Sequence, residues 1–365
     1  MPQNNNETKT IGVLTSGGDC AGLNAVIRAV VHRAIENYGW RVLGIHEGTR
    51  GLMDRPVKYE ELTLKLFTGN ILRLGGTILG TTNKGDPFDF PMEDGTRKDR
   101  SEEFIGGYKE LGLDGLVGIG GDGSLDILNR LTTQGGLKFI GVPKTIDNDV
   151  PLTDFSVGFS TAVSAAVEAL DRLQPTAASH ERVMVLEVMG RGAGHIALNA
   201  GIGGGADVIL IPEIPYRMGP IAERIISLRE QGRKHALVVC SEAARPVEGE
   251  IITKTEAGGQ VRYGGIGHDL CDQISETTGA EMRVTVLGHV QRGGAPSSHD
   301  RIVASAFGVR AVDLLAAGQS GRMVAWQHRQ VVDVLLDDVT SRTGNVDVTE
   351  TLVQTARGLG ICLGD

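Results

Sequence analysis

The stretch TIGVLTSGGDCAGLNAVIRAVVHRAIENY, Thr10 to Tyr38, holds the reading that decides the fold. It begins with a short apolar run that lacks polar–apolar alternation, as suits a strand buried on both faces of a parallel sheet. A glycine-rich turn follows. From about Leu23 to Tyr38 the apolar residues Ala25, Val26, Ala29, Val30 and Ile35 then mark a helix, with Gly39 as its stop.

The same succession recurs along the chain. The runs LDGLVGIGGDGS, KFIGVPKTIDND, RVMVLEVMGRGAG, ADVILIPE, HALVVCSEAA and MRVTVLGHVQRGG each lead apolar residues into a glycine-rich or polar loop, and VGFSTAVSAAVEALDRL is a second clear helix. The pattern predicts an α/β fold with mainly parallel sheets. In such sheets ligands sit beyond the carboxyl ends of the strands, where these Gly-, Asp- and Arg-rich loops fall.

A chain of 365 residues is long enough for two domains or one large one. Its 52 glycines are about twice the usual share and follow no collagen-like period, which points to tight turns and close backbone approach to a ligand. A formal net charge of -9 argues against a general nucleic-acid binder, although a local arginine cluster can still hold an anionic substrate. Cys20, Cys240, Cys271 and Cys362 lie far apart with no C-x-x-C pair and read as free thiols in a reducing compartment. The polar start MPQNNNETKT lacks the apolar core of a signal peptide, and no apolar run reaches the length of a membrane span. A cytoplasmic protein is expected.

Each motif has a bland reading beside a chemical one. TSGGDCAGLN, Thr15 to Asn24, is either a tight structural turn or a loop whose backbone N–H groups face an anion at a helix N-terminus. It matches neither the P-loop nor the dinucleotide fingerprint, which disfavours a NAD-dependent dehydrogenase. GIGGDGSLD, Gly118 to Asp126, repeats the device, with Asp122 as either a helix cap or a Mg²⁺ ligand. KTIDND holds Lys144, Thr145, Asp147 and Asp149, either a solvated turn or a carboxylate placed to accept a proton from an attacking hydroxyl. Arg182, Arg191, Arg283 and Arg292, with His289, stand near the edges of strand-like runs, where arginine's planar fork suits phosphate.

Together IGVLTSGGDCAGLNAVIR, GGTILGT, GIGGDGS, PKTIDND, VMVLEVMGR, GGADVILIPE and RVTVLGHVQRGG resemble 6-phosphofructokinase in order and spacing, from about Ile11 to Arg310. The resemblance implies two similar three-layer domains. The first, a phosphoryl-donor domain, spans 1–156 plus 291–345, and the second, a fructose 6-phosphate domain, spans 157–290 plus 346–365. It further implies that Gly17, Gly121, Asp122, Gly123 and Ser124 hold the phosphates of ATP, with Asp122 and Asp149 beside Mg²⁺. Asp147 would be the base toward the sugar 1-hydroxyl, with Thr145 and Arg191 completing the catalytic set and Ile146 lining the same contact. Met189, Gly190, Arg191, Glu242, His289, Val290, Gln291 and Arg292 would bind fructose 6-phosphate. Arg182 and Arg283 would reach that phosphate from a neighbouring subunit, in a homodimer or homotetramer with shared active sites.

Two positions bear on the donor. Pyrophosphate-using members resemble this chain at Lys144, whereas they carry an aspartate where this chain has Gly123. A fixed negative charge against the nucleotide α-phosphate excludes ATP more firmly than an extra cation recruits pyrophosphate, so ATP is expected and pyrophosphate is the alternative. The segment ILRLGGTILGTTNKGDPF departs from the pattern, with Leu74 before the glycine pair and Asn83-Lys84 where arginine is expected, so Arg73 or Lys84 is left to substitute. A catalytically silent sugar-phosphate sensor is the rival from another class; it need not keep Asp122, Asp147 and Arg191 together.

Overall fold

The computed structural model describes residues 8–255 and 261–365; the polar start, residues 1–7, lies outside the described residues. The chain divides into two compact units. One comprises residues up to Thr145, Val150–Gly158 and Arg292–Thr343, and the other Ile146–Asp149, Phe159–Gln291 and Gly344–Asp365. The segment Ile146–Asp149 groups with the second unit, whereas the boundaries expected from sequence place it in the first.

In the first unit Thr10–Thr15 is a wholly buried strand at the centre of an eight-stranded sheet. Its neighbours Arg41–Ile45 and Gly115–Gly120 run parallel to it, and Phe139–Thr145 runs parallel to the latter. The edges are antiparallel: Tyr59–Glu61 on one side, and Gln330–Leu335 against Arg322–Gln327 on the other. Burial on both faces removes any need for alternation, which is why these strands read as unbroken apolar runs. Leu14, Leu116, Leu125 and Phe139 are inaccessible to solvent in the core that results.

The helix after the first strand covers Leu23–His32 in α form and continues as a π-helical turn, Arg33–Asn37. Gly39 follows with φ 66°, a left-handed stop that a side chain resists. Periodicity thus located the helix but not the widening of its last turn.

The second unit holds a four-stranded, all-parallel sheet in the order Val208–Leu210, Ala236–Ser241, Val183–Val188, Met282–Val286. Its core collects Val183, Val185, Leu210, Val238 and Ile274. The long alanine-rich helix spans Phe159–His180, while Val157–Gly158 before it is a short strand paired with Phe139–Thr145. Among the described residues no helix is long and apolar enough to cross a membrane.

Candidate active site

In the first unit the glycine turn after the opening strand is braced from several sides. Gly17 has φ 83°, and its N–H donates to the Thr82 carbonyl at 2.9 Å. The Thr81 hydroxyl donates to the Gly17 carbonyl at 2.7 Å. Asn24 secures the neighbouring segment: its amide nitrogen donates to the Leu74 carbonyl at 3.1 Å and its Oδ1 accepts from the Ile78 N–H at 2.9 Å. A Cβ on Gly17 would stand 2.9 Å from Ser124 Oγ and 3.5 Å from Lys144 Nζ, so the expected donor residues Gly17, Ser124 and Lys144 are neighbours. Arg73 and Lys84 are both exposed.

Lys144 is 3% exposed and donates through Nζ to the Gly18 carbonyl. Arg292 Nη1 donates to the Asp19 carbonyl at 3.1 Å, which places this expected sugar-phosphate residue against the glycine turn of its own unit. Cys20, inside that turn, donates through Sγ to the Val157 carbonyl at 3.3 Å. Burial pushes its thiol up to about 12, an effect the Lys144 charge opposes.

The second glycine loop starts the helix Asp122–Gly135. Gly121 occupies the N-cap with no side-chain cap, so Asp122, the first helical residue, is not the cap that the bland reading made it. The uncapped N–H groups and the helix dipole form a ready anion site. Gly123, in the first turn, is exposed, and a Cβ there would meet no atom within 4 Å. Among the described residues no group of three or more His, Cys, Asp or Glu gathers around a point that could hold a metal. Mg²⁺ held by one or two carboxylates and substrate phosphates needs no such group.

In the second unit the chain leaves the strand Phe139–Thr145 through Ile146–Asp149. Asn148 sits at φ 53°, in the left-handed region that asparagine tolerates better than most residues. This explains the interleaved asparagine: it turns the backbone between the two acids. Asp147 is 7% exposed. Behind Asp149 stands Gly344, where a Cβ would come within 2.2 Å of the Asp149 carbonyl oxygen.

The loop Met189–Gly194 leaves the strand Val183–Val188 under strain. Gly190 has φ 155° and Arg191, with a full side chain, φ 53°. Buried Gln291 accepts the Met189 N–H at 2.8 Å, and Glu242 accepts the Arg191 N–H at 3.0 Å. These two expected sugar-phosphate residues therefore hold the loop's backbone. His289 and Val290 are exposed on the turn Gly288–Arg292. Arg182 Nε and Arg283 Nη2 both donate to Glu281 Oε1, at 2.8 and 2.7 Å, and lower the Glu281 carboxyl.

Sequence reasoning missed Glu213 and Gly344. Glu213 Oε1 accepts the N–H groups of Gly194 and Val346, at 3.0 and 2.9 Å, so it ties the Arg191 loop to the segment that follows Gly344. Glu213 closes the run ADVILIPE, and its acid at a strand end was the one local signal. Gly344 had none.

Glycine turns and an open helix N-terminus at the carboxyl ends of parallel strands, with arginines and acids on the companion loops, define a phosphoryl-transfer type of α/β protein. The phosphofructokinase family profile matches residues 10–315, and the chain belongs to that family. The chain is 59% identical over 362 residues to "ATP-dependent 6-phosphofructokinase 1" of Synechocystis sp., covering 98% of this chain and 99% of the relative. It is 58% identical over 359 residues to the protein of the same name from Nostoc sp., covering 98% and 99%. Among solved structures it resembles phosphofructokinase from Saccharomyces cerevisiae with a TM-score of 0.79 and 28% identity, covering 96% of this chain and 46% of the yeast chain. It thus spans about half the length of that chain.

Proposed function

We propose that the protein transfers the terminal phosphoryl group of ATP to the 1-hydroxyl of fructose 6-phosphate, as a cytoplasmic ATP-dependent 6-phosphofructokinase of glycolysis. One observation carries the donor assignment. The space beside Gly123 is open to a nucleotide phosphate, while the Lys144 ammonium is already engaged by the Gly18 carbonyl. Extensive identity to relatives that are named ATP-dependent supports the same reading.

In this reading the first unit, with Gly17, Gly121, Asp122, Gly123 and Ser124, receives the donor phosphates on backbone N–H groups and a helix N-terminus. The second, with Met189, Gly190, Arg191, Glu242, His289, Val290 and Gln291, receives the sugar phosphate, and Arg292 adds to it. Asp147 accepts the proton of the 1-hydroxyl as its oxygen attacks phosphorus, with Thr145 and Ile146 beside the same contact. Arg191 faces the charge that develops on the phosphoryl oxygens. Asp122 and Asp149 are the residues that would hold Mg²⁺, whose charge offsets that of the phosphates. Arg182 and Arg283 serve a neighbouring subunit in a closed homo-oligomer.

The test is kcat/KM for ATP and for pyrophosphate at saturating fructose 6-phosphate and Mg²⁺. A preference for ATP is expected. A preference for pyrophosphate would transfer the donor role to Lys144, and no turnover with either would leave a sugar-phosphate sensor.

A further inference from the structure

The stretch GRGAGHIALNAG, Gly190 to Gly201, carries one titratable side chain besides Arg191, and the scheme above does not use it: His195, the first residue of the helix His195–Gly203. Its ring is half-buried and stands edge-on to Phe159, with centroids 6.5 Å apart and planes at 82°. Nε2 lies 2.9 Å from the Gly344 carbonyl oxygen. A carbonyl only accepts, so Nε2 carries the hydrogen and donates it.

Two further bonds close the same junction. Glu213 Oε1 accepts the N–H groups of Gly194 and Val346, at 3.0 and 2.9 Å, so the residue before His195 and the second residue after Gly344 share one carboxylate oxygen. Gly344 is thus held through its own carbonyl and through Val346. A Cβ on it would fall 2.2, 2.5 and 3.0 Å from the carbonyl oxygen, carbonyl carbon and Cα of Asp149. The two main chains pack directly on each other, and a close-packed interior has little slack to absorb a shift, so what places Gly344 also places Asp149.

We infer that His195 is a positioning residue for phosphoryl transfer: its bond to Gly344 sets the main chain behind Asp149, and with it the direction in which that carboxylate meets the divalent cation of the donor. The inference rests on the reading of Asp149 as a residue that would hold Mg²⁺. Imidazole suits the task. Its rigid ring, seated against Phe159, keeps the N–H on the carbonyl with few rotamers to freeze. Geometry is worth this support, since a misplacement of about 1 Å at a reacting centre can cost about 10²-fold in rate.

The metal readout needs no turnover: Mn²⁺ binding to the intact protein in the presence of β,γ-methylene-ATP, followed by electron paramagnetic resonance. His195→Leu, and His195→Met as a second apolar replacement, should weaken it by about tenfold, the lower end of what loss of a supporting group costs at a metal site. In His195→Gln the amide nitrogen can donate to the same carbonyl, so binding stays within about twofold of the parent. In turnover, kcat of the apolar variants falls by about tenfold. Their KM for fructose 6-phosphate changes by less than about twofold, because Glu242 and Gln291 still hold the Arg191 loop.

Asp149→Asn separates this inference from the reading on which it rests. Weaker Mn²⁺ binding in Asp149→Asn with parental binding in both apolar variants would overturn the role of His195 and leave Asp149 standing. Parental binding in Asp149→Asn, or none in the parent, would overturn the metal reading and this inference with it. Equal losses in the glutamine and apolar variants would assign the effect to packing of the ring and overturn the hydrogen bond. A raised KM for fructose 6-phosphate with intact kcat would also overturn the inference, since His195 would then serve the sugar loop alone.

Discussion

The Lys144 ammonium, on the strand Phe139–Thr145, donates to the main-chain carbonyl of Gly18 in the glycine turn that follows the first strand. A charge that reads in sequence as a phosphate contact is therefore also a brace for the donor turn. Lys144→Met keeps the apolar stem but removes the donor. With the carbonyl left unsatisfied the variant loses about 1–2 kcal/mol of stability, and a looser turn raises the donor KM several-fold. Thermal unfolding and donor saturation curves check both. Parental values in each would mean that the bond is incidental.

Gly123→Asp separates donor choice from folding. The position has no positive φ and open space around its Cβ, and an acid in the first turn of a helix is favourable, so the melting temperature stays at the parental value. A fixed charge near the nucleotide α-phosphate lowers kcat/KM for ATP by roughly 10- to 100-fold. An unchanged ATP profile would show that the donor does not pass this point.

Asp147→Asn should lower turnover by about 10²–10⁴-fold with little change in sugar-phosphate binding, as expected for loss of a general base. Mixing it with Arg283→Ala under conditions of subunit exchange tests whether sites are shared. Hybrid assemblies regain part of the activity if an intact site takes Asp147 from one subunit and Arg283 from another. Proven exchange without recovery would confine Arg283 to its ion pair with Glu281.

Gly344→Ala presses a Cβ to within 2.2 Å of the Asp149 carbonyl oxygen unless backbone moves. Overpacking of this kind costs about 1–3 kcal/mol and shifts Asp149. Both the melting temperature and turnover should fall, and turnover should recover in part as Mg²⁺ is raised. Loss of stability with unaltered turnover would remove Asp149 from the reaction.

One buried and one half-buried thiol, Cys20 and Cys271, set an alkaline limit. Burial raises Cys20 to about 12 and Cys271 to about 11, from an ordinary 9.0. A raised acid contributes stability that is complete below the unfolded value and is lost as pH rises through the folded one. Stability should accordingly hold to about pH 9 and decline from there toward pH 11–12. Melts recorded from pH 7 to 10.5 follow the decline, and Cys20→Ala should flatten it; identical slopes in parent and variant would assign the decline to other groups.

The alternation of apolar strand, glycine turn and helix was legible because each signal is local: burial on both faces, φ freedom at glycine, and 3.6-residue periodicity all act within a few residues. Motif order carried the family for the same reason, and Asn148 between its two acids is a local backbone solution to a tight turn. What the tertiary structure decided lies far apart in the chain. Lys144 reaches Gly18 across 126 residues, and Glu213 reaches Val346 across 133. Gly344 is a glycine because of the Asp149 backbone. Such contacts follow from sheet register and from where the chain returns, which depend on packing over the whole unit and leave no periodic trace in the residues that make them.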